Sequence, residues 1–392
     1  MREKQILPLA VVVLTGALVT VIALWTLERV GNPQADQVLD PGSGEQPTSE
    51  VIEWKLVTTW PKGLPGLGAA PENFARRVNE ASGGRLRIKV FGAGEIAPAF
   101  EVFDAVSRGV AEAGHGASYY WKGKIPASVF YTAVPFGMTA QEANGWLHYG
   151  GGLELWRELY APFGVVPFAG GSTGVQMAGW FNIRLNSRAD LDGLKMRIPG
   201  LAGEVFDAAG GSAVRIAGGE VYTSMQTGVI DAVEWVGPYN DRTLGLMEVG
   251  DYYYYPGWHE PGAMLETIVN AEALAALPDD LQAIVRVAAR ATNTDMLDDF
   301  TANNSESLQI LLNEFETEVL PLPDDVMEAL YENSQVAIQA LVEADPMAKK
   351  IAASYFEFAE KVRTYHEISE RAYLNGRNRL LPPVSLTAES AE

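Results

Sequence analysis

Cysteine is absent from the 392 residues. That excludes disulfide bonds, thiolate catalysis, cysteine-held zinc and a lipidated cysteine behind a signal peptide. Positive charge is scarce. Lys and Arg total 29 against 50 Asp and Glu, a formal net charge of −21. Nucleic acid as a partner is therefore excluded, because phosphate binding needs concentrated Lys and Arg. A small anion has to be captured by local positive charge, since the global field repels it. The acidity itself fits solubility in an exported or salty setting. The four histidines, His115, His148, His259 and His366, are scattered, and no two have metal-ligand spacing. His115, His148 and His366 read as structural or surface residues; His259 gains interest only from its neighbours. No internal repeat of fixed period is present. What remains is an apolar fraction of 47%, enough for real cores, in a chain whose length suggests two lobes plus extras.

Arg2 and Lys4 precede an uncharged run that reaches Leu27. Its length is near the roughly 20 residues that span a bilayer, longer than a usual signal-peptide core. No clear Ala-x-Ala site precedes Glu28. Residues 1–28 read as a signal-anchor, with a cleaved export signal as the alternative, and the positive end places the rest outside the cytoplasm. Residues 29–50 are Gly, Pro, Gln, Asp and Ser with little that is apolar, a flexible tether. The folded part begins at Val51. Residues 51–59 alternate as a strand, followed by a Pro/Gly loop from Trp60, a helix with Phe74 and Val78 inward, and a second strand, Leu86 to Phe91. This rhythm is that of an open α/β lobe, where ligands sit at the carboxyl ends of strands. Trp146 to Tyr160 has helical spacing. Val175 to Phe181 and Met264 to Val269 read as strand or strand-like, and Tyr252 to Tyr255 is four tyrosines in a row. From near Asp280 to beyond Leu311 the pattern allows one long helix that crosses both lobes, and Asp324 to Arg379 is again helical. Leu381 to Glu392 is a Pro- and Ser-containing tail expected to be disordered.

Two motif matches lack their context. Gly170-Gly171-Ser172-Thr173-Gly174 fits the letters of a nucleophile elbow. That motif needs a helix directly after it, and a strand-like run follows instead. Gly92-Ala93-Gly94-Glu95-Ile96-Ala97 resembles a dinucleotide turn, but Pro98 lies where the helix should already run.

The informative stretch is Leu194 to Tyr239. Arg197 stands between apolar neighbours at the end of a short strand. Glu234 stands in a second strand-like run, Ile230 to Val236, that closes in Gly237-Pro238. If both strand ends face one cleft, it offers a fixed cation for a carboxylate and an anionic oxygen for a hard metal ion. Met196-Arg197-Ile198-Pro199-Gly200, Ile216 to Tyr222 and Gly228 to Tyr239 together resemble the DctP-type substrate-binding proteins of TRAP transporters, which are tripartite, ATP-independent and periplasmic. Gly174 to Phe181, the Tyr252 to Gly257 run and Glu234-Trp235 resemble the subgroup that binds 2-oxo and 2-hydroxy monocarboxylates with a metal ion. The resemblance covers about residues 51–379.

The resemblance implies an α/β, two-lobed periplasmic binding protein with a hinged cleft and a long helix spanning both lobes. Lobe I would be residues 51–174 with 263–302, lobe II 175–262 with 303–330, followed by C-terminal helices at 331–380 and the tail at 381–392. Arg197 would bind the substrate carboxylate, as a guanidinium can do with two parallel bonds and without losing its charge. Gln176, Glu234, the Trp235 main-chain oxygen and Glu260 would hold the cation. All supply hard oxygens, which suits Na⁺ or Ca²⁺. Gln176 could instead bond substrate alone, and Glu260 could be a surface or hinge carboxylate. Tyr119, Tyr120 and Trp121 match an aromatic segment facing the cleft in similar proteins. Ser172 stands where close relatives often carry asparagine, which leaves the exact acid open. The implied function is capture of a small 2-oxo or 2-hydroxy carboxylate, pyruvate- or lactate-like, for delivery to the TRAP permease membrane subunits, without catalysis. A membrane-tethered sensor or scavenger without a permease is the alternative. An enzyme would need a proton shuttle that these residues do not supply. The C-terminal helices could pair two chains. Arg197→Ala or Arg197→Met is expected to abolish carboxylate binding with the fold intact.

Overall fold

The computed structural model describes residues 51–382, 384 and 386, which belong to one compact unit that begins at Val51. The expected signal-anchor at 1–28, the tether at 29–50 and most of the tail lie outside the described residues. Among the described residues, no helix is long and apolar enough to cross a membrane.

Eleven strands form two mixed sheets among the described residues. In chain order they are β1 (Ile52–Thr58), β2 (Leu86–Phe91), β3 (Ala113–Gly116), β4 (Val165–Ser172), β5 (Gly179–Phe181), β6 (Lys195–Arg197), β7 (Ser212–Val214), β8 (Ala232–Val233), β9 (Tyr252–Tyr255), β10 (Met264–Asn270) and β11 (Glu318–Pro321). The first sheet runs β2-β1-β3-β10-β4 and the second β11-β9-β5-β8-β6-β7. In the first, β1 is parallel to β2 and β3, while β10 is antiparallel to β3 and β4. In the second, β6 is parallel to β7 and β8. The chain therefore passes between sheets three times: from β4 to β5, from β9 back to β10, and through the long helix to β11. The two-lobed α/β arrangement is what the resemblance implied, and the strand–helix rhythm at the start of the chain matches its first lobe.

The long helix runs Asp279–Glu314. At 1.5 Å per residue it is about 54 Å long, enough to reach past both sheets. Its first half buries Leu281, Val285, Ala288 and Ala289 against the first sheet. Its second half places Phe300 edge-on to Tyr239, and the Asn304 side-chain oxygen accepts from the Tyr239 N–H at 3.0 Å. Tyr239 lies in the short helix Pro238–Thr243 that follows β8.

Two helical stretches are more broken than their spacing predicts. Ala140–Tyr149 and Gly152–Tyr160 are separate helices, because Gly150 and Gly151 intervene and Gly151 takes a left-handed φ of 85°. After residue 324 there are three helices, Asp324–Ala344, Pro346–Ile368 and Glu370–Leu380. Pro346 supplies no amide for the preceding helix, and Asp345 caps the next by accepting from the Met347 and Ala348 N–H groups. The helical spacing from Asp324 to Arg379 marks Leu330, Val336, Leu341, Ile351, Phe356, Phe358 and Val362 for burial, but Val336 and Phe356 are exposed. Val175 to Phe181 is strand only in its last three residues.

One buried acid sits in the core of the first sheet. Glu266, fully buried on β10, accepts from the Trp121 indole at 2.5 Å and the Tyr160 hydroxyl at 2.9 Å. No cation faces it, and burial pushes its carboxyl up to about 8 despite those donors. The unfolded value is about 4.3. A raised acid contributes stability that is fully present below the unfolded value and lost as pH rises through the folded one. Glu266→Gln removes that loss. Its stability relative to the parent is expected to increase between about pH 5.5 and 8.5, read as urea midpoints. An equal difference at both pH values would contradict a neutral Glu266.

Candidate functional site

The site is assembled where the chain changes sheets. Arg197 ends β6 and Glu234 follows β8 directly, so parallel pairing of these strands, Arg197 beside Val233, brings the two together. The Glu234 N–H also donates to the Arg197 carbonyl at 3.0 Å. Gln176 lies on the passage from β4 to β5, and His259 and Glu260 on the passage from β9 to β10. These passages are laced: the Gln176 N–H donates to the Glu260 carbonyl at 3.2 Å, and the Gly257 N–H to the Gln176 carbonyl at 2.8 Å. A Cβ at Gly257 would come within 2.4 Å of that carbonyl, so only glycine permits the approach.

Arg197 is 1% exposed. Its Nη1 donates to the Glu234 carbonyl at 2.6 Å and to the Glu234 carboxylate at 2.8 Å. Nε donates to the Ile216 carbonyl at 3.3 Å, and Nη2 to the Tyr120 hydroxyl at 3.3 Å. The guanidinium also lies over the Trp235 ring, 4.9 Å from its centre. A guanidinium has five donors. Four are engaged, so the two parallel bonds expected for a ligand require at least one of them to be exchanged; the bonds to Tyr120 and Ile216, both 3.3 Å, are the longest, and only the Tyr120 partner is a side chain that can turn away.

Around Arg197 several buried groups lack partners. Glu234 Oε1, Gln176 Oε1, both ring nitrogens of His259 and the Trp235 indole N–H are buried without a hydrogen bond; His259 Nε2 stands 3.5 Å from Glu234 Oε1, but burial pushes the ring down to about 4, so it is neutral and forms no ion pair there. Glu234, His259 and Glu260 each place one ligand-capable atom within 4.8 Å of the others. Gln176 is fixed by its amide N–H, which donates to Glu260 at 2.7 Å and to the Thr173 hydroxyl at 3.0 Å. That leaves the amide oxygen as the free end. Buried polar atoms are normally satisfied, so this convergence of orphans needs a partner. Burial pushes Glu234 up to about 7, opposed by Arg197, and pushes Glu260 up to about 8, with Glu234 adding to the rise. The two carboxylates and the amide oxygen are hard donors that suit a hard cation, and the neutral His259 ring stands beside them. The residues present therefore fit Na⁺ or Ca²⁺.

The first sheet contributes aromatics. Tyr119, Tyr120 and Trp121 form one short 3₁₀ turn, and all three are buried. The Tyr119 hydroxyl acts on Glu260, and Tyr120 reaches Arg197. Trp121 points the other way, to Glu266 in the core. Ser172 ends β4, fully buried, and its hydroxyl accepts from the Gly174 N–H at 3.3 Å. Trp235 meets Trp60 edge-on at 6.3 Å. Its ring covers Gly218, where a Cβ would sit 2.2 Å from it.

Three contributors escape sequence reading. Trp60, in what reads as a plain Pro/Gly loop, donates its indole N–H to His115 at 3.0 Å and lines the site beside Tyr120. His259 joins the donor cluster through folding alone. Asp241 accepts from the Val236 and Gly237 N–H groups, the Trp180 indole and the Tyr253 hydroxyl, all at 3.1 Å or less, which pins the segment carrying Glu234. Its only sequence signal is an acid three residues after Gly-Pro at a helix start.

Residues 56–345 match the bacterial extracellular solute-binding protein family 7, DctP. The chain belongs to this family. A monocarboxylate 2-oxoacid-binding periplasmic protein of Nostoc sp. (strain PCC 7120) is 41% identical over 324 residues, which cover 83% of this chain and 88% of the relative. A TRAP periplasmic solute-binding protein from Colwellia psychrerythraea, solved with bound calcium and pyruvate, superposes with a TM-score of 0.81 at 41% identity, over 83% of this chain and 100% of that one. One from Pseudoalteromonas atlantica T6c, solved with sodium and pyruvate, also gives 0.81 at 41% identity, over 83% and 99% of the two chains. As a DctP-family protein the chain is an extracytoplasmic receptor that captures and releases solute rather than turning it over.

The geometry alters the expected outcome of removing Arg197. Loss of one partner strands a buried charge, at about 3–5 kcal/mol in comparable pairs. Arg197→Met is thus expected to lose carboxylate binding and also to melt lower. Adding Glu234→Gln should restore part of the stability and none of the binding, as read by thermal unfolding and calorimetric titration. A single variant as stable as the parent would show that the ion pair contributes little.

Proposed function

We propose that this receptor captures a 2-oxo or 2-hydroxy monocarboxylate, pyruvate- or lactate-like, together with Na⁺ or Ca²⁺, and delivers it to the membrane subunits of a TRAP permease. The observation that carries this reading is the set of orphaned buried atoms on Gln176, Glu234 and His259 beside a buried arginine. Gln176, Glu234, Glu260 and the Trp235 main chain would hold the cation. A bound cation supplies a Lewis-acid anchor for the oxygen at C2 and the carboxylate, which favours acids carrying both. Arg197, freed from Tyr120, would take the carboxylate. Tyr119, Tyr120 and Trp235 would shape the walls, with Ser172 setting polarity from behind.

Charge supports a divalent or monovalent cation differently. Arg197 brings one positive charge against Glu234, Glu260 and the substrate carboxylate. Calcium would neutralise the set, and sodium would leave one negative charge in a dry site, which is costly. Calcium is therefore expected to give the tighter complex.

Residues 51–174 with 263–302, and 175–262 with 303–330, would act as the two lobes that close on ligand. Contacts already bridge the sheets: Asn240 Nδ2 donates to the Pro65 carbonyl at 2.7 Å, and Lys122 pairs with Glu204. Residues 1–28 would export the chain and hold it at the inner membrane. The helices at 331–380 would pair two chains through exposed Ile368, Tyr373 and Leu374.

The test is thermal unfolding of residues 51–392, refolded to strip ligand, against pyruvate, lactate, longer 2-oxo acids and acids lacking an oxygen at C2. Each is run with Na⁺, with Ca²⁺ and with chelator. Ligand at 100 times its dissociation constant should add about 2.7 kcal/mol. Stabilisation confined to the acids bearing a C2 oxygen, and dependent on cation, is expected. Stabilisation that survives the chelator in sodium-free buffer would remove the cation from the reading. In Glu234→Gln the cation dependence should weaken while the fold persists, since the amide oxygen still accepts from Arg197; an unchanged response would exclude Glu234 as a ligand.

A further inference from the structure

A second pocket lies away from the Arg197 cluster, between the helices Ala140–Tyr149 and Gly152–Tyr160 and the first half of the long helix. Leu153, Phe168 and Ala289 give it an apolar floor, and Arg157, Arg286, Arg290 and His148 surround them. Arg286 and Arg290 are one helical turn apart, so both project from the same face, where like charges repel. Among the described residues, none of the three guanidiniums makes an ion pair or a side-chain hydrogen bond. That is unexpected in a chain with 50 acidic residues against 29 basic ones.

Glu158, next to Arg157, turns to Lys350 at 2.7 Å. Glu154 is the carboxylate left in the neighbourhood; it acts on His148 from the same helix as Arg157, against the opposing influence of Arg290 and Arg157. The ring faces the pocket, and its Nε2 is buried without a partner. Three free guanidiniums, an orphaned ring nitrogen and an apolar floor make a site with a cationic rim and a dry base.

We propose that this pocket binds a small organic oxyanion, with its charged head among Arg157, Arg286, Arg290 and His148 and its apolar body against Leu153, Phe168 and Ala289. The planar donors suit a phosphate or carboxylate head, which can take paired bonds from more than one guanidinium. The floor favours a ligand with an aromatic or branched body over a bare ion. The site is separate from the cation-binding cluster, so both can be filled together.

Phenyl phosphate is the probe. The full-length protein, saturated with pyruvate and sodium to fill the main cleft, is titrated with it calorimetrically. One saturable site is expected, with affinity falling as salt rises. Arg290→Gln should weaken it about tenfold, the scale of one charge-assisted hydrogen bond. The triple variant R157Q/R286Q/R290Q should abolish it. Because the three side chains are exposed and unpaired, melting temperature and pyruvate affinity should stay at parental values. Absence of saturable uptake by the parent, or uptake that persists in the triple variant, would overturn the proposal.

Discussion

A guanidinium that is 1% exposed imposes conditions on everything around it. Its charge cannot be removed by deprotonation, so it must be matched. Glu234 matches it through both its carboxylate and its carbonyl, which fixes the end of β8 against the end of β6. The Ile216 carbonyl and the Tyr120 hydroxyl take two more donors, one from each side of the cleft. The same ion pair that neutralises Arg197 leaves Glu234 Oε1 without a partner. One buried cation thus organises the strand ends and presents an anionic oxygen to a second cation.

A bound hard cation would explain an otherwise costly arrangement. Glu234 and Glu260 share a buried region, where burial pushes the Glu260 carboxyl up and a charged Glu234 adds to the rise. Without a cation, burial holds both toward the neutral form. Calcium and a carboxylate ligand together would neutralise the region, whereas either alone would leave it charged. Metal and substrate are therefore expected to bind cooperatively for electrostatic reasons, before any contact between them is considered.

The location of the site couples binding to shape. Gln176, His259 and Glu260 sit on the passages between sheets rather than within either one. Asp241 holds the Glu234 segment with four hydrogen bonds, so strain there is not absorbed locally. A donor set fixed on those passages would let occupancy bear on how the two sheets stand to each other.

How much of this was legible in the sequence depends on range. Local pattern determined the strand–helix rhythm, the long helix from near Asp280 to beyond Leu311, which spans Asp279–Glu314, and the isolation of Arg197 and Glu234 among apolar neighbours. Those features follow from side-chain periodicity and from the rarity of a charge inside an apolar run. The breaks at Gly150–Gly151 and Asp345–Pro346 were written in the residues too, but competed with the helical period on either side. What tertiary structure alone decided is which groups meet. Tyr120 faces Arg197 while its neighbour Trp121 faces Glu266, because successive residues of a tight turn leave it in different directions. His259 and Trp60 become part of the site through strands that pair far apart in sequence. No periodicity encodes such a meeting, since it is set by strand order and by the packing that satisfies each buried polar group.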